Sequence, residues 1–235
     1  MHIEVGHGTH KGLRRGHNED TYFADLGKGL WIVADGMGGL DSGEVASELA
    51  RDTVVAETDK EESLGPAITL AHAAILQHIK NTNPDGRMGS TIGALRVTEE
   101  RFEIAWVGDS RIYRYDPDSG LSQITRDHSY VQELLDRNLI TADEARRSPH
   151  KNLVMQALGA VSEGELKVEM AAGQIHSGTQ ILLCSDGLTN EVEDAAICEL
   201  LTEEPSAQQA VDSLIQSALN GGGSDNITVV LIRCK

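Results

Sequence analysis

Cysteine is scarce in this sequence, with three among 235 residues, at positions 184, 198 and 234. So few, widely spaced and odd in number, they make neither a disulfide framework nor a zinc-ligand spacing, and a reducing, cytoplasmic setting fits them. No apolar run approaches the length that spans a bilayer, and the opening Met-His-Ile-Glu-Val lacks the charged and then apolar pattern of a leader. An unexported protein with no membrane contact is therefore expected. Positive charge is also short: 20 Lys and Arg stand against 37 Asp and Glu, a formal charge of -17. This opposes nucleic acid and anionic membranes as partners, because both call for basic patches, and it favours cations. A Gly-x-x-x-x-Gly-Lys-Ser/Thr loop is missing, which removes P-loop nucleotide chemistry. No linker, repeat or low-complexity tract divides the chain, so one domain over residues 1–235 is expected.

What is present centres on Leu30 to Gly39, reading Leu-Trp-Ile-Val-Ala-Asp-Gly-Met-Gly-Gly. The β-branched apolar run predicts a buried strand, and the glycines after it predict a sharp turn, so Asp35 falls at a strand end. Alone, such an Asp closes a turn or offers a carboxylate to a hard cation. Upstream, Thr21–Ala24 pairs with Leu30–Ala34 as a hairpin, which brings Glu19 and Asp20 towards Asp35. Arg15, five residues before Asp20, is either a surface ion pair or a clamp for phosphate oxygens. Helices are predicted from Ser42, as N-cap, and over Pro66–Lys80, where His72 and His78 are read as surface residues.

The same pattern then recurs. The predicted strand Arg101–Val107 runs into Gly108-Asp109-Ser110-Arg111, the strand Gln180–Cys184 into Ser185-Asp186-Gly187-Leu188, and Asp225 opens the strand Ile227–Ile232. A further strand is predicted over Leu166–Met170. Between Ser129 and Leu158 the chain is polar and charged, with helices at Tyr130–Arg137 and after Thr141, and reads as an inserted flap that shapes substrate choice. Carboxylates converging at one end of a sheet repel one another unless cations neutralise them. The expected product is a two-metal site, where a shared water of lowered pKa attacks phosphorus in line. A cysteine nucleophile does not compete, since Cys184 sits in an apolar strand where a thiolate is disfavoured.

Taken together, Arg15-Gly-His-Asn-Glu-Asp20, Asp35-Gly-Met-Gly-Gly39, Gly89-Ser-Thr91, Gly108-Asp-Ser-Arg111, Asp127-His-Ser129, Ser185-Asp-Gly-Leu188 and Asp225-Asn226 resemble, in order and over nearly the whole length, the metal-dependent PP2C (PPM) protein serine/threonine phosphatases of compact bacterial type. The resemblance implies an α+β fold, a four-layer α-β-β-α sandwich of two mainly antiparallel sheets. It implies Mn²⁺ or Mg²⁺ as cofactor, in two core sites and a third, weaker one. By position, Asp35 bridges both ions, Asp186 and Asp225 complete one, and Glu19 with the Gly36 carbonyl serves the other. Asp20 holds metal-bound water, Arg15 holds the phosphate, and Asp109 joins Asp186 at the third site. Met37 stands where the animal enzymes carry histidine, which leaves His150 in the flap as one candidate proton donor, with an ordinary exposed loop histidine as its alternative; His128 is read as a support of the flap helix. The implied function is hydrolysis of phosphoserine and phosphothreonine without a phosphoenzyme, by a monomer acting on phosphorylated proteins and opposing a Ser/Thr kinase. A catalytically silent phosphoprotein-binding module and a hydrolase of small phosphate esters are the other readings.

Overall fold

The structure, a computed structural model, describes residues 2–38, 42–59, 63–82, 84, 86–161 and 165–235. Gly39, which ends the Asp35–Gly39 motif, lies outside the described residues. In chain order the elements are β1 (Ile3–His10), β2 (Asp20–Asp25), β3 (Leu30–Met37), α1 (Ser42–Thr58), α2 (Leu64–Thr82), β4 (Gly89–Ser90), β5 (Ile92–Thr98), β6 (Arg101–Val107), β7 (Arg111–Asp116) and β8 (Gly120–Gln123). They continue with α3 (Tyr130–Asp136), α4 (Ala142–Arg147), β9 (Glu169–Gln174), β10 (Gln180–Cys184), α5 (Asp186–Thr189), α6 (Asp194–Glu203), α7 (Ala207–Gly221) and β11 (Ile227–Cys234).

Two sheets result. One runs β1-β11-β10-β7-β8, the other β2-β3-β5-β6-β9 with β4 beside β3, and every pairing is antiparallel. Strand alternation sorts the side chains into layers, because successive residues face opposite sides. On β3, Leu30, Ile32 and Ala34 pack with α1 and α2, whereas Trp31 and Val33 face the other sheet. On β11, Val229 and Leu231 meet α6 and α7, whereas Val230 and Ile232 join Trp31 between the sheets. Three apolar layers thus hold four structural ones, the α-β-β-α sandwich that the motifs imply. Each large apolar side chain buried this way contributes about 1.5–3 kcal/mol.

Several expectations need correction. His72 is buried, not a surface residue: the flap's return arm crosses α2 there, and the Gly159 N–H donates to His72 Nδ1 at 3.0 Å. The strand expected at Leu166–Met170 starts only at Glu169, because Leu166 and Val168 pack against the α1–α2 core instead of joining the ladder. Thr91, in the Gly89-Ser-Thr91 motif, separates the two-residue β4 from β5. Ser42 is the first residue of α1, and the position before it lies outside the described residues. The flap helices match their caps: Ser129 Oγ accepts from the Gln132 N–H, and Thr141 with Glu144 forms a capping box over α4.

Candidate active site

The acids gather at one end of the sandwich because strand pairing puts them there. In the β2–β3 hairpin Asp20 lies directly opposite Asp35. Asp109 follows β6 in a turn whose Gly108 has φ 103°, a backbone conformation that disfavours any side chain, with Thr91 packed against it. Asp186 opens the one-turn helix α5, one residue after β10, a helix the sequence reading did not anticipate, and Asp225 lies two positions before β11. Glu19 sits over the first turn of α1, where a Cβ on Gly43 would lie 2.4 Å from Glu19 Oε1 and one on Gly36 would lie 2.0 Å from the Gly43 carbonyl oxygen. Two glycines therefore let β3, α1 and the Glu19 loop close together.

Hydrogen bonds lock these turns. The Thr91 N–H donates to Asp35 O at 2.9 Å, the Asp35 N–H donates to Thr91 Oγ1 at 3.1 Å, and Thr91 Oγ1 meets Ser110 Oγ at 2.7 Å. Asn226 accepts from the Glu19 N–H at 2.8 Å, and its Nδ2 donates to Lys11 O and His17 O, both at 2.9 Å. The Arg15 loop is thereby fastened to the start of β11. Sequence reasoning assigned no role to Thr91, Ser185 or Asn226; the available signal was that each lies in a short polar motif beside a strand end.

The electrostatics are those of charge held against its preference. Burial pushes Asp20 up to about 7, with Asp186 and Asp225 adding repulsion and Ser185 Oγ, 2.7 Å away, opposing it. Desolvation pushes Asp186 up to about 6, with Asp225 adding to it and Asn190 opposing. Asp35 and Asp109 are raised well above the usual carboxylate range, first by burial and then by the neighbouring acids. Arg15 Nη2 binds Asp225 Oδ2 at 2.6 Å, and its own pKa rises in the field of Asp225, Asp35 and Glu19.

Does this set suit metal ions? Asp20 Oδ1 and Asp186 Oδ1 are buried and accept no hydrogen bond, which is costly for an anion unless a cation faces it. The donors are carboxylate and carbonyl oxygens, the choice of hard ions such as Mg²⁺ and Mn²⁺. Among the described residues, no three acidic, histidine or cysteine side chains already close around one point. Arg15 on Asp225, Ser185 on Asp20 and Asn190 on Asp186 hold the acids in their present poses. These bonds engage Oδ2 of Asp20 and Asp186 and leave each Oδ1 free, so chemistry and burial fit a cation site.

Comparison with known proteins settles the family. The Protein phosphatase 2C profile matches residues 8–221. The chain belongs to the protein phosphatase 2C family. The serine/threonine protein phosphatase PstP of Mycobacterium tuberculosis is 37% identical over 228 residues, which cover 94% of this chain but only 43% of that protein. The serine/threonine phosphatase stp of Listeria innocua is 36% identical over 245 residues, 99% of this chain and 95% of that one. A crystal structure of the PstP catalytic domain with two manganese ions superposes with a TM-score of 0.87 at 35% identity, covering 98% and 97% of the two chains.

Within this phosphatase-family fold, a cleft of about 450 Å³ leads from Asp109 and Asp186 past Asn190 to Lys151 and Asn152 of the flap. His150, the candidate proton donor, is exposed; its ring stands edge-on to Tyr130 at 5.9 Å and does not line that cleft. The structure thus brings together Arg15, Glu19, Asp20, Asp35, Asp109, Asp186 and Asp225, and leaves His150 outside. All three cysteines are free, and burial pushes Cys184 up to about 12, far from a nucleophilic thiolate.

Proposed function

We propose that this protein phosphatase 2C chain hydrolyses phosphoserine and phosphothreonine in proteins through a divalent-metal centre at the acid-bearing end of the sandwich. The observation that carries the reading is the set of buried, mutually repelling carboxylates, two of which have an oxygen with no partner. Asp35 would bridge two ions, Asp186 and Asp225 would complete one site, and Glu19 with the Gly36 carbonyl would serve the other. Asp109, beside Asp186, would join it in a third and weaker site, and Mn²⁺ or Mg²⁺ would serve. When bound, the ions supply charge neutralisation and activation of water for in-line attack on phosphorus, with no phosphoenzyme.

The chain's own residues supply the rest. Arg15 exchanges Asp225 for the phosphate oxygens, which its fork matches and whose charge has the same sign as the carboxylate it leaves and is larger. Asp20, held by Ser185, orients the attacking water. Of the catalytic set, His150 has the least support, being exposed and packed on Tyr130. The whole stretch 1–235 acts as one phosphatase domain with its flap at about 129–158. It works as a cytoplasmic monomer that opposes a Ser/Thr kinase on that kinase's phosphorylated substrates. Among the described residues, no helix is long and apolar enough to cross a membrane.

The test is phosphate release from a phosphothreonine peptide by purified protein with Mn²⁺, with EDTA, and for Asp186→Ala. Release with Mn²⁺ is expected to stop in EDTA and to fall about 10²- to 10³-fold in the variant, the scale on which an electrostatic group acting in the transition state is felt. Folded wild-type protein that releases nothing with either metal overturns the reading. Faster turnover of small phosphate metabolites than of phosphopeptides would replace the protein substrate with a small ester.

A further inference from the structure

The turn that carries Asp109 and the return arm of the flap meet at one side chain, His128, in the loop between β8 and α3. The His128 N–H donates to Gly108 O at 2.9 Å, and the Gly108 N–H donates back to His128 Nδ1 at 3.2 Å, a two-point clamp on the residue before Asp109. From the flap, Gln156 Nε2 reaches the same Nδ1 at 3.1 Å, and the Met155 N–H donates to His128 O at 2.7 Å. The Gln156 amide cannot be reversed, because its Oε1 accepts from the Lys167 N–H at 2.6 Å. Nδ1 is therefore an acceptor shared by two donors, and the ring proton sits on Nε2. Burial lowers the pKa of His128, consistent with a neutral ring.

The loop itself is braced. Trp106 Nε1 donates to Arg126 O at 3.0 Å, and Asp127 holds the Arg111 guanidinium through Nε and Nη2. Two residues beyond Gln156, Leu158 exchanges hydrogen bonds of 3.0 and 2.8 Å with Ser90, whose Oγ donates to Asp35 O at 3.2 Å. The return arm of the flap thus bears on the turn of one acid through His128 and on the strand of another through Ser90.

We propose that His128 is a positioning residue that couples the Asp109 turn to the flap, so that the acid end and the substrate cleft keep one relative geometry. Sequence reasoning read it only as a support for the flap helix. The kinetic part of this inference rests on the phosphatase reading; the structural part does not. An Asn side chain carries its amide oxygen as many bonds from Cα as Nδ1 is in His, so His128→Asn keeps the acceptor. Gln carries its oxygen one bond farther, and Ala removes it.

The experiment compares wild type, His128→Ala, His128→Asn and His128→Gln by amide hydrogen exchange and by steady-state kinetics with Mn²⁺. The substrates are a phosphothreonine peptide and a small aryl phosphate too short to reach the flap. In His128→Ala, exchange at residues 155–158 is expected to quicken by roughly tenfold, the weight of one lost hydrogen bond, while β10 and β11 keep their protection. The peptide KM rises by about the same factor and the aryl phosphate KM stays within about twofold, as befits a lost positioning contact and not a lost fold. His128→Asn restores both readouts and His128→Gln does not. Exchange that quickens evenly over the whole protein, parallel loss on both substrates, or identical Asn and Gln variants would overturn the proposal. Should the wild type release no phosphate, the phosphatase reading fails, and the exchange pattern still decides the clamp.

Discussion

At the acid-bearing end of the sandwich, negative charges are desolvated, crowded together and only partly paired. On the flap, charges are exposed and matched: Arg137 with Glu133, Arg146 with Glu193, Lys167 with Glu169 just beyond it. The first arrangement destabilises the fold, since each raised carboxylate pKa reports a charged state the protein disfavours. The second costs little and contributes little, because exposed ion pairs are worth about 0–1 kcal/mol. The difference separates buried charge that only an added cation would relieve from surface charge that solvent and close partners already screen.

Asn226 offers the sharpest way to break that contrast. Asn226→Ala removes the acceptor of the Glu19 N–H and both donors that hold the Arg15 loop, and should cost about 2–4 kcal/mol by the usual weight of part-buried hydrogen bonds. Thermal melting checks the stability, and a Mn²⁺ titration should show weaker binding even where the fold survives. Retained stability and unchanged Mn²⁺ affinity would mean that the acids do not depend on that staple.

The acids also set a pH dependence. An unfolded Asp ionises near pH 4, whereas folded Asp20 and Asp186 are pushed up to about 7 and about 6. Between those values the unfolded chain has fewer protons bound, so the contribution of these groups to stability falls as pH rises from about 4 to about 7. EDTA-treated protein should therefore gain more in melting temperature from Mn²⁺ at pH 7.5 than at pH 5.5. An equal gain at both would argue that these carboxyls are not what the ion neutralises.

Much of this end was legible in the sequence because its signals are local. An apolar run that stops at Asp-Gly marks Asp35 and Asp186 without any knowledge of neighbours, and the glycine before Asp109 marks that turn. What stayed hidden depends on partners far along the chain. Arg15 joins Asp225 across 210 positions, and Asn226 reaches back to Lys11 and His17, so neither pairing leaves a local trace. His72 was misplaced for the same reason: one helix face cannot show that Gly159 crosses over it. Leu166 and Val168 have strand-like composition, yet packing against helices took them out of the ladder.

The flap supplies the smallest expected effect. Arg146 and Glu193 are 57% and 76% exposed at 3.2 Å, so Arg146→Ala should move stability by less than about 1 kcal/mol. The measurement that sharpens the comparison is a phosphopeptide panel: changed ratios between peptides at constant melting temperature would show the flap acting on choice of substrate and not on folding.

β11 lies between β1 and β10, in the interior of its sheet, and Asp225 and Asn226 come directly before it. These residues come later in the chain than every other acid of the site. Without them and the strand they open, β1 and β10 have nothing to join them, Arg15 loses its Asp225 partner, and the Glu19 loop loses its staple. A chain broken anywhere before residue 225 therefore loses the closing strand of one sheet and part of the acid cluster in a single step.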